Sequence, residues 1–162
     1  MNGTDPRVRP VQPPDVPAVV GLVHELAAYE RAAGECTLTE AQLQAALFGV
    51  RPALFGHVAV VEGEVVGCAL WFLNFSTWCG LHGIYLEDLY VQPQHRGAGL
   101  GRAIVAELAR ECTRRGYARL EWAVLDWNRP AIDFYSSLGA QAQEDWTIFR
   151  ASGSSLSRLA QS

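Results

Sequence analysis

The sequence is poor in residues that bind metals or form disulfides, and those present are not paired. Its four cysteines and four histidines lie scattered along the chain: Cys36, Cys68, Cys79 and Cys112, and His24, His57, His82 and His95. No C-x-x-C pair or other ligand spacing occurs among them, which argues against a zinc site. We therefore expect no metal, and reduced, mostly buried thiols as in a cytosolic protein.

Long apolar runs are also missing. No stretch approaches the roughly 20 residues that span a bilayer, and the first ten residues, MNGTDPRVRP, contain no apolar segment typical of a secretory signal. The net charge of −4 argues against a general nucleic-acid binder. The 162 residues show no internal repeat, and we expect one domain over residues 1–162, located in the cytoplasm, with no membrane or nucleic-acid partner.

Two common phosphate-binding motifs are absent as well. The chain has no G-K-[S/T] at P-loop spacing. A G-x-G-x-x-G match counted from Gly97 fails, because its third glycine position is Arg102. The pattern that does fit is R-x-x-G-x-G, formed by Arg96, Gly99 and Gly101.

This pattern lies in the stretch that organises the chain. Leu86–Val91 is predicted to be a strand that Pro93 ends, and the glycine-rich loop Gln94–Gly101 then leads into a helix that ends near Gly116. Glycines let backbone N–H groups approach a ligand, and a helix start adds unpaired donors and partial positive charge. Such a site suits a pyrophosphate, although a glycine loop before a helix is also often only a connection.

The remaining elements are predicted from hydrophobic periodicity and turn residues. Before the central segment, we predict a strand at Val8–Val11, a helix from Val16 that Gly34 ends, and a helix capped by Thr39 and running to Leu47. Two strands at His57–Glu62 and Val65–Asn74, joined by a tight turn at Gly63–Glu64, and a loop at Ser76–Gly83 then lead to the central strand and helix. After them we predict a strand at Arg119–Leu125, a helix capped by Asn128 over Pro130–Leu138, a closing strand or hairpin at Gln141–Arg150, and a polar tail at Ala151–Ser162. This order predicts an α/β (α+β) fold with a mixed, mostly antiparallel sheet flanked by helices.

Three ordered motifs resemble one known family. They are Tyr85-Leu86-Glu87-Asp88, then Arg96-Gly97-Ala98-Gly99-Leu100-Gly101, then Trp127-Asn128-Arg129-Pro130-Ala131-Ile132-Asp133-Phe134-Tyr135. Together they are similar to motifs of the GNAT superfamily of acetyl-CoA-dependent acetyltransferases, and more narrowly of its diamine (spermidine/spermine) branch. The resemblance implies a GNAT-like domain, acetyl-CoA as co-substrate, a small primary amine as acceptor and a homodimer.

The resemblance also implies which residues hold acetyl-CoA. The matching positions are Leu89, Tyr90 and Val91 on the strand, Arg96, Gly97, Ala98, Gly99, Leu100, Gly101 and Arg102 in the loop and helix start, and Asn128, Pro130 and Ala131 further on. In the family, the strand before the loop splays from the next one and the pantetheine arm enters the gap. We therefore expect a gap between Leu86–Val91 and Arg119–Leu125.

Acetyl transfer requires a neutral amine and protonation of the leaving thiolate. Glu87 is the candidate proton acceptor, and its neighbour Asp88 should point to the other face of a regular strand, so only one of the two is expected to face the cleft. Glu87 paired with an arginine or a backbone amide is the competing interpretation. Tyr135 is the candidate acid, because the matching family tyrosine donates a proton to the sulfur; core packing is its alternative. No cysteine occupies a motif position, which favours direct transfer.

Substrate contacts are predicted from acidic and aromatic residues, since a cationic amine needs such neighbours. The candidates are Tyr29, Glu30, Trp78, Glu87, Glu121, Trp122 and Glu144. The diamine enzymes carry an aspartate two residues before the tryptophan, whereas this chain has Ser76, which favours shorter diamines, lysine-like amino acids or thialysine-type amines over long polyamines. Two other hypotheses stay open: a non-catalytic acyl-CoA-binding regulatory module, and transfer to a protein amine.

Overall fold

The computed structural model describes residues 3–162, which form two compact units. The first ends at Leu125 and contains the sheet, and the second runs from Asp126 to Ser162. No helix among residues 3–162 is both long enough and apolar enough to cross a membrane. One domain over the whole chain stays a prediction.

The first unit is built on a five-stranded sheet. Its strands are β1 Val8–Pro10, β2 Phe55–Val61, β3 Glu64–Ser76, β4 Leu81–Val91 and β5 Leu120–Glu121. They lie in the order β1-β2-β3-β4-β5, antiparallel throughout except for the parallel pair β4–β5. The predicted mixed, mostly antiparallel sheet is therefore confirmed.

Three helices flank this sheet: α1 Val16–Tyr29, α2 Glu40–Phe48 and α3 Leu100–Arg115. One apolar core, the α3 cluster, contains Ile84, Leu86, Val91, Leu100, Ile104 and Leu108. A second core, the α1/α2 cluster, contains Val16, Val19, Leu43, Val58 and Tyr90. The sheet thus separates two apolar layers, which matches the predicted α/β sandwich.

Helix ends follow the predicted caps with one exception. Thr39 and Gln42 form the capping box at the start of α2, and Gly116 ends α3 with a φ of 68°. The prediction that Gly34 ends the first helix was wrong: α1 stops at Tyr29, and Arg31 takes a positive φ of 63°. This early stop places Tyr29 and Glu30 at the end of the helix.

One hairpin turn is shifted by a residue from the prediction and the other is shorter than predicted. The β2–β3 turn is formed by Glu62 and Gly63, with φ values of 51° and 85°, rather than by Gly63 and Glu64. Two successive positive φ values fit the twist of a two-residue hairpin. Half of the predicted loop Ser76–Gly83 is strand, because the β3–β4 ladder continues to the pair Ser76–Leu81 and leaves only residues 77–80 as a turn.

The predicted strand Arg119–Leu125 is reduced to two paired residues. β5 pairs with β4 only at Ile84–Leu120 and Tyr85–Glu121. Among the described residues, β4 therefore has no strand partner on its β5 side beyond Tyr85. This separation agrees with the predicted gap beside Leu86–Val91.

The second unit holds α4 Arg129–Ser137 and α5 Gly153–Leu159. Asn128 caps α4 as predicted, its side chain accepting a hydrogen bond from the Ala131 backbone N–H at 3.4 Å. The predicted strand Gln141–Arg150 was wrong. Residues 141–150 are irregular, with Phe149 93% exposed, so their apolar side chains bury nothing that would stabilise a strand.

One buried histidine has a structural role that its sequence context did not reveal. His57 on β2 lies under the α3 cluster and its Nδ1 accepts a hydrogen bond from the Trp71 indole N–H at 3.2 Å. Burial lowers the pKa of His57 below its ordinary value, so the ring is held neutral. This bond joins β2 to β3 inside the core.

Candidate functional site

The site begins with an irregularity in β4. Leu70 of β3 pairs with Asp88 and Trp71 pairs with Leu86, so Glu87 is an extra residue with no partner across the ladder. This is a β-bulge, a feature that shifts the alternation of side chains by one position. Leu86 before the bulge and Val91 after it both enter the α3 cluster, although they are five positions apart and a regular strand would point them to opposite faces.

The bulge places both acidic residues on the same face. Tyr90 lies in the α1/α2 cluster, and Asp88, two residues before it, shares that face. Glu87 is opposite in direction to Leu86, which faces α3, so it too points toward the α1/α2 side. The expectation that Glu87 and Asp88 face opposite ways was wrong, because it assumed an unbroken strand.

Two other carboxylates act on the charge of Asp88. Burial, and after it the nearby charges of Glu87 and Glu30, raise the pKa of Asp88 to about 6. Burial also raises the pKa of Glu30, at the end of α1. A partly buried carboxylate whose pKa is raised by neighbouring negative charges is a favourable place for a cation, since a bound positive charge would relieve the repulsion.

The glycine loop is open on its outer side. Gly97 and Gly99 have φ values of 81° and 79°, and a Cβ added at either would meet nothing within 4 Å. Gly99 is the N-cap of α3, so no side chain caps the first N–H groups of this helix. Arg7 supports the loop from behind by donating to the Ala98 carbonyl oxygen at 3.2 Å. Open space, free donors and the positive helix end fit a pyrophosphate.

The strand before the loop supplies a second kind of contact. Beyond Tyr85, the β5-facing backbone of Leu86–Val91 has no strand partner among residues 3–162. An extended amide chain can pair with such an edge through main-chain hydrogen bonds. Leu89, Tyr90 and Val91 lie along it, with the side chains of Tyr90 and Val91 buried in the two cores.

Arg96 has contacts that the motif did not predict. Its Nε donates to the Val91 carbonyl oxygen at 2.8 Å. Its guanidinium carbon lies 5.3 Å from the centre of the Tyr29 ring and 5.4 Å from that of the Tyr90 ring. Arg102, in the first turn of α3, is exposed. The arginine that opens the motif therefore lies against the end of α1, a contact visible only after folding.

Two predicted substrate residues on the β5 side are already engaged. The Glu121 carboxylate forms an ion pair with Arg119 Nε at 2.8 Å and accepts a hydrogen bond from Asn74 Nδ2 at 2.8 Å. Trp122 is half-buried and packs against the α3 cluster. These contacts give both side chains a part in holding β5 against the sheet.

Trp78 lies far from the three carboxylates within one chain. It sits on the β3–β4 turn and is 91% exposed, whereas Asp88 is seven residues into β4 from Leu81. At about 3.3 Å per residue, that separation is roughly 20 Å. Ser76 is buried at the end of β3, where its Oγ accepts from the Cys79 backbone N–H at 3.3 Å, so it closes the turn.

In the second unit, the predicted residues lie on and after α4. Pro130 and Ala131 form its first turn, and Tyr135 is half-buried on its last turn, with its ring centre 5.1 Å from that of Phe134. Glu144 is exposed in a turn of the irregular segment. The roles of these residues stay predictions.

Comparison with known proteins agrees with this geometry. The model of the acetyltransferase (GNAT) family matches residues 22–140. The chain is 39% identical to thialysine N-epsilon-acetyltransferase of Bos taurus, over 94% of this chain and 96% of the bovine protein. It is 26% identical to L-ornithine N5-acetyltransferase of Arabidopsis thaliana, over 94% of this chain and 87% of that protein.

A solved structure shares the fold over nearly the full length. It is an integron cassette protein from the mobile metagenome of V. cholerae, 26% identical, with a TM-score of 0.80 over 96% of this chain and 97% of that one. The family match, the relatives and this structure all cover the strand, loop and helix described above.

Proposed function

The chain belongs to the acetyltransferase (GNAT) family and is an amine N-acetyltransferase, and from this premise we propose that it transfers the acetyl group of acetyl-CoA to the side-chain amine of thialysine or a similar lysine-like amino acid. One observation carries the proposal: a single strand, β4, leads from the neighbouring carboxylates of Glu87 and Asp88 along an edge without a strand partner to an open glycine loop. We propose a cation site at the start of this segment and a pyrophosphate site at its end.

The choice of a lysine-like amine has two supports. Ser76 stands where the diamine enzymes carry an aspartate, so one acidic contact for a long polyamine is missing, and its hydroxyl is used inside the turn. Relatives named for thialysine acetylation are 36–39% identical over most of the chain. A short side chain with one terminal ammonium needs fewer acidic partners than a polyamine does.

Acetyl-CoA supplies an activated thioester, and this chain offers residues to hold it. Backbone N–H groups of Gly97–Gly101 and the start of α3 would bind the pyrophosphate, with Arg102 adding charge. The edge at Leu89–Val91 would bind the amides of the arm. Asn128, Pro130 and Ala131 are included because they match the family motif.

The carboxylates divide two tasks. Asp88 and Glu30 hold the ammonium, since partly buried charges bind a cation more strongly than exposed ones. Neutralising an ammonium of pKa about 10.4 at pH 7 costs roughly 4–5 kcal/mol, so the proton needs an acceptor. We assign that role to Glu87, which is exposed on the bulge and can pass the proton to water. Tyr135, by the motif resemblance, protonates the departing sulfur.

The test is release of free thiol from acetyl-CoA with a panel of amines at about pH 8. The panel contains thialysine, lysine, ornithine, putrescine, spermidine, spermine and a lysine-containing peptide. We expect the highest kcat/KM with thialysine or another lysine-like amino acid. Preference for spermidine or spermine would overturn the substrate, preference for the peptide would favour protein acetylation, and binding of acetyl-CoA without release would favour a regulatory module.

We also propose a cytoplasmic homodimer. The tip of the β3–β4 hairpin exposes Trp78 in the turn, Phe75 on one face and Leu81 on the other, and large exposed apolar side chains concentrated at one tip favour an interaction site. A second copy covering this tip would bury all three. Light scattering at micromolar concentration should give twice the chain mass of 17.7 kDa, and a single-chain mass would refute the dimer.

A further inference from the structure

We propose that Arg96 is a positioning residue that couples the glycine loop to the amine site through Tyr29, so that occupation of the loop tightens binding of the amine. This inference rests on the proposed function. It concerns the side chain of Arg96, whereas the motif explains only why the backbone of the loop binds a pyrophosphate.

A hydrogen bond holds the Arg96 side chain against the end of β4. Its Nε donates to the Val91 carbonyl oxygen, the last residue of β4, at 2.8 Å. This bond fixes the plane of the guanidinium relative to the strand, because an arginine side chain carries its donors in a rigid fork. The Arg96 backbone, one residue before Gly97, stays part of the loop.

The Arg96 guanidinium contacts two tyrosine rings. It lies between two rings from different elements, Tyr90 on β4 at 5.4 Å and Tyr29 at the end of α1 at 5.3 Å. A planar cation within about 6 Å of a ring centre is attracted to the ring, and arginine stacks there better than lysine. Arg96 thus joins the loop, the strand and the end of α1.

Tyr29 is connected to the proposed amine site through Glu30. Glu30 is the next residue, and its charge acts on Asp88. A second connection supports the same corner of α1: Gln92 Nε2 donates to Glu25 at 3.1 Å, which ties the residue after β4 to the helix. The helix α1 ends at Tyr29 and Arg31 has a positive φ, so the position of Tyr29 and Glu30 depends on side-chain contacts as well as on helical hydrogen bonds.

The physical consequence is a shared ordering cost. A ligand on the loop N–H groups fixes the loop backbone and with it Arg96, which then restrains Tyr29 and Glu30. The amine that binds next meets carboxylates already in place, so it loses less free energy to ordering them. By linkage, the amine should tighten the loop ligand by the same factor.

The experiment measures the dissociation constant of thialysine by calorimetry, with and without saturating CoA. CoA carries no acetyl group, so no reaction occurs. In the unchanged protein we expect CoA to tighten thialysine binding about fivefold or more, the lower end of couplings between sites. In Arg96→Gln, which keeps a polar side chain but removes the stacked cation, the factor should fall below about twofold.

Arg102→Gln is the matched control, because it removes a positive charge at the start of α3 without a contact to either tyrosine ring. It should weaken CoA and leave the coupling factor intact. Full coupling in Arg96→Gln, or its loss in both variants, would overturn the inference while the proposed function stands. Binding of both ligands with no coupling in the unchanged protein would do the same. Failure of the unchanged protein to bind or acetylate any amine of the panel would overturn both.

Discussion

Changing Asp88 to asparagine should raise the KM for thialysine roughly 30-fold at about pH 8, which corresponds to about 2 kcal/mol for losing one charged partner of a desolvated contact. The KM for acetyl-CoA should change little, because the loop and the strand edge are untouched. Steady-state kinetics with each substrate varied in turn measure the two constants. Asp133→Asn, an exposed aspartate on α4, is the matched control and should alter neither.

The pH profile makes this prediction sharper. Asp88 has a pKa of about 6, so its charge is present above that pH and is lost as the pH falls through it. A free amine substrate of pKa about 10.4 gives log kcat/KM a rising slope over the whole range, and loss of Asp88 charge should steepen that slope below about pH 6. Asp88→Asn should keep the first slope and lack the steepening. An identical profile in both proteins would contradict the role.

Ionisation of Asp88 should lower the free energy of unfolding over the same pH range in which it increases activity. Because the folded-state pKa of Asp88 lies above its ordinary value of 3.8, the fold favours the protonated form, and stability is lost as pH rises from about 4 to 6. Asparagine carries no charge at any pH. The Tm of Asp88→Asn at pH 8 should therefore equal or exceed that of the unchanged protein, and a lower Tm would indicate that the kinetic loss reflects damage to the fold.

Changing Tyr135 to phenylalanine should lower kcat by about 100-fold or more, because a positioned proton donor contributes about 10²–10⁴-fold to rate. The removed group is one hydroxyl, and the ring remains to pack beside Phe134. Dissociation constants for acetyl-CoA, measured by calorimetry, should change less than about threefold, since the affinity comes from other groups.

Tyr117→Phe provides the matched control for Tyr135→Phe. It removes a hydroxyl from another half-buried tyrosine, which packs against the α3 cluster and next to His82. Its kcat should stay within about twofold of the unchanged protein, because Tyr117 is not among the proposed site residues. An equal loss of kcat and of acetyl-CoA affinity in Tyr135→Phe, or no loss of either, would contradict its role as the acid.

Local signals were enough to predict the segment from Leu86 to Gly116. Pro93 stops a strand, glycines open a loop, and Gly116 ends a helix, each through the conformations that its own residue permits. The Thr39 capping box and the Asn128 cap were predictable for the same reason. Where the end of a helix or strand is determined by residues next to it in the sequence, that end could be predicted without knowledge of the fold.

The bulge at Glu87 could not be predicted from local signals, because the prediction assumed a regular strand. Its one signal is a change of parity: Leu86 and Val91 both face α3 although their positions differ by five, an odd number. The ion pair of Glu121 with Arg119, and the contact of Arg96 with Tyr29, depend on tertiary packing. Likewise, apolar residues in 141–150 suggested a strand, but a strand needs a partner edge that sequence does not specify.

The unpaired edge of β4 has a consequence for how this protein can vary. An edge that binds through main-chain groups recognises an extended amide and not particular side chains. The side chains of Tyr90 and Val91 are meanwhile buried in opposite cores, so selection acts on them for packing. Under the proposed function, the main-chain contacts to acetyl-CoA and the core composition can therefore diverge independently at Val91, whereas the Tyr90 ring is also constrained by its contact with Arg96.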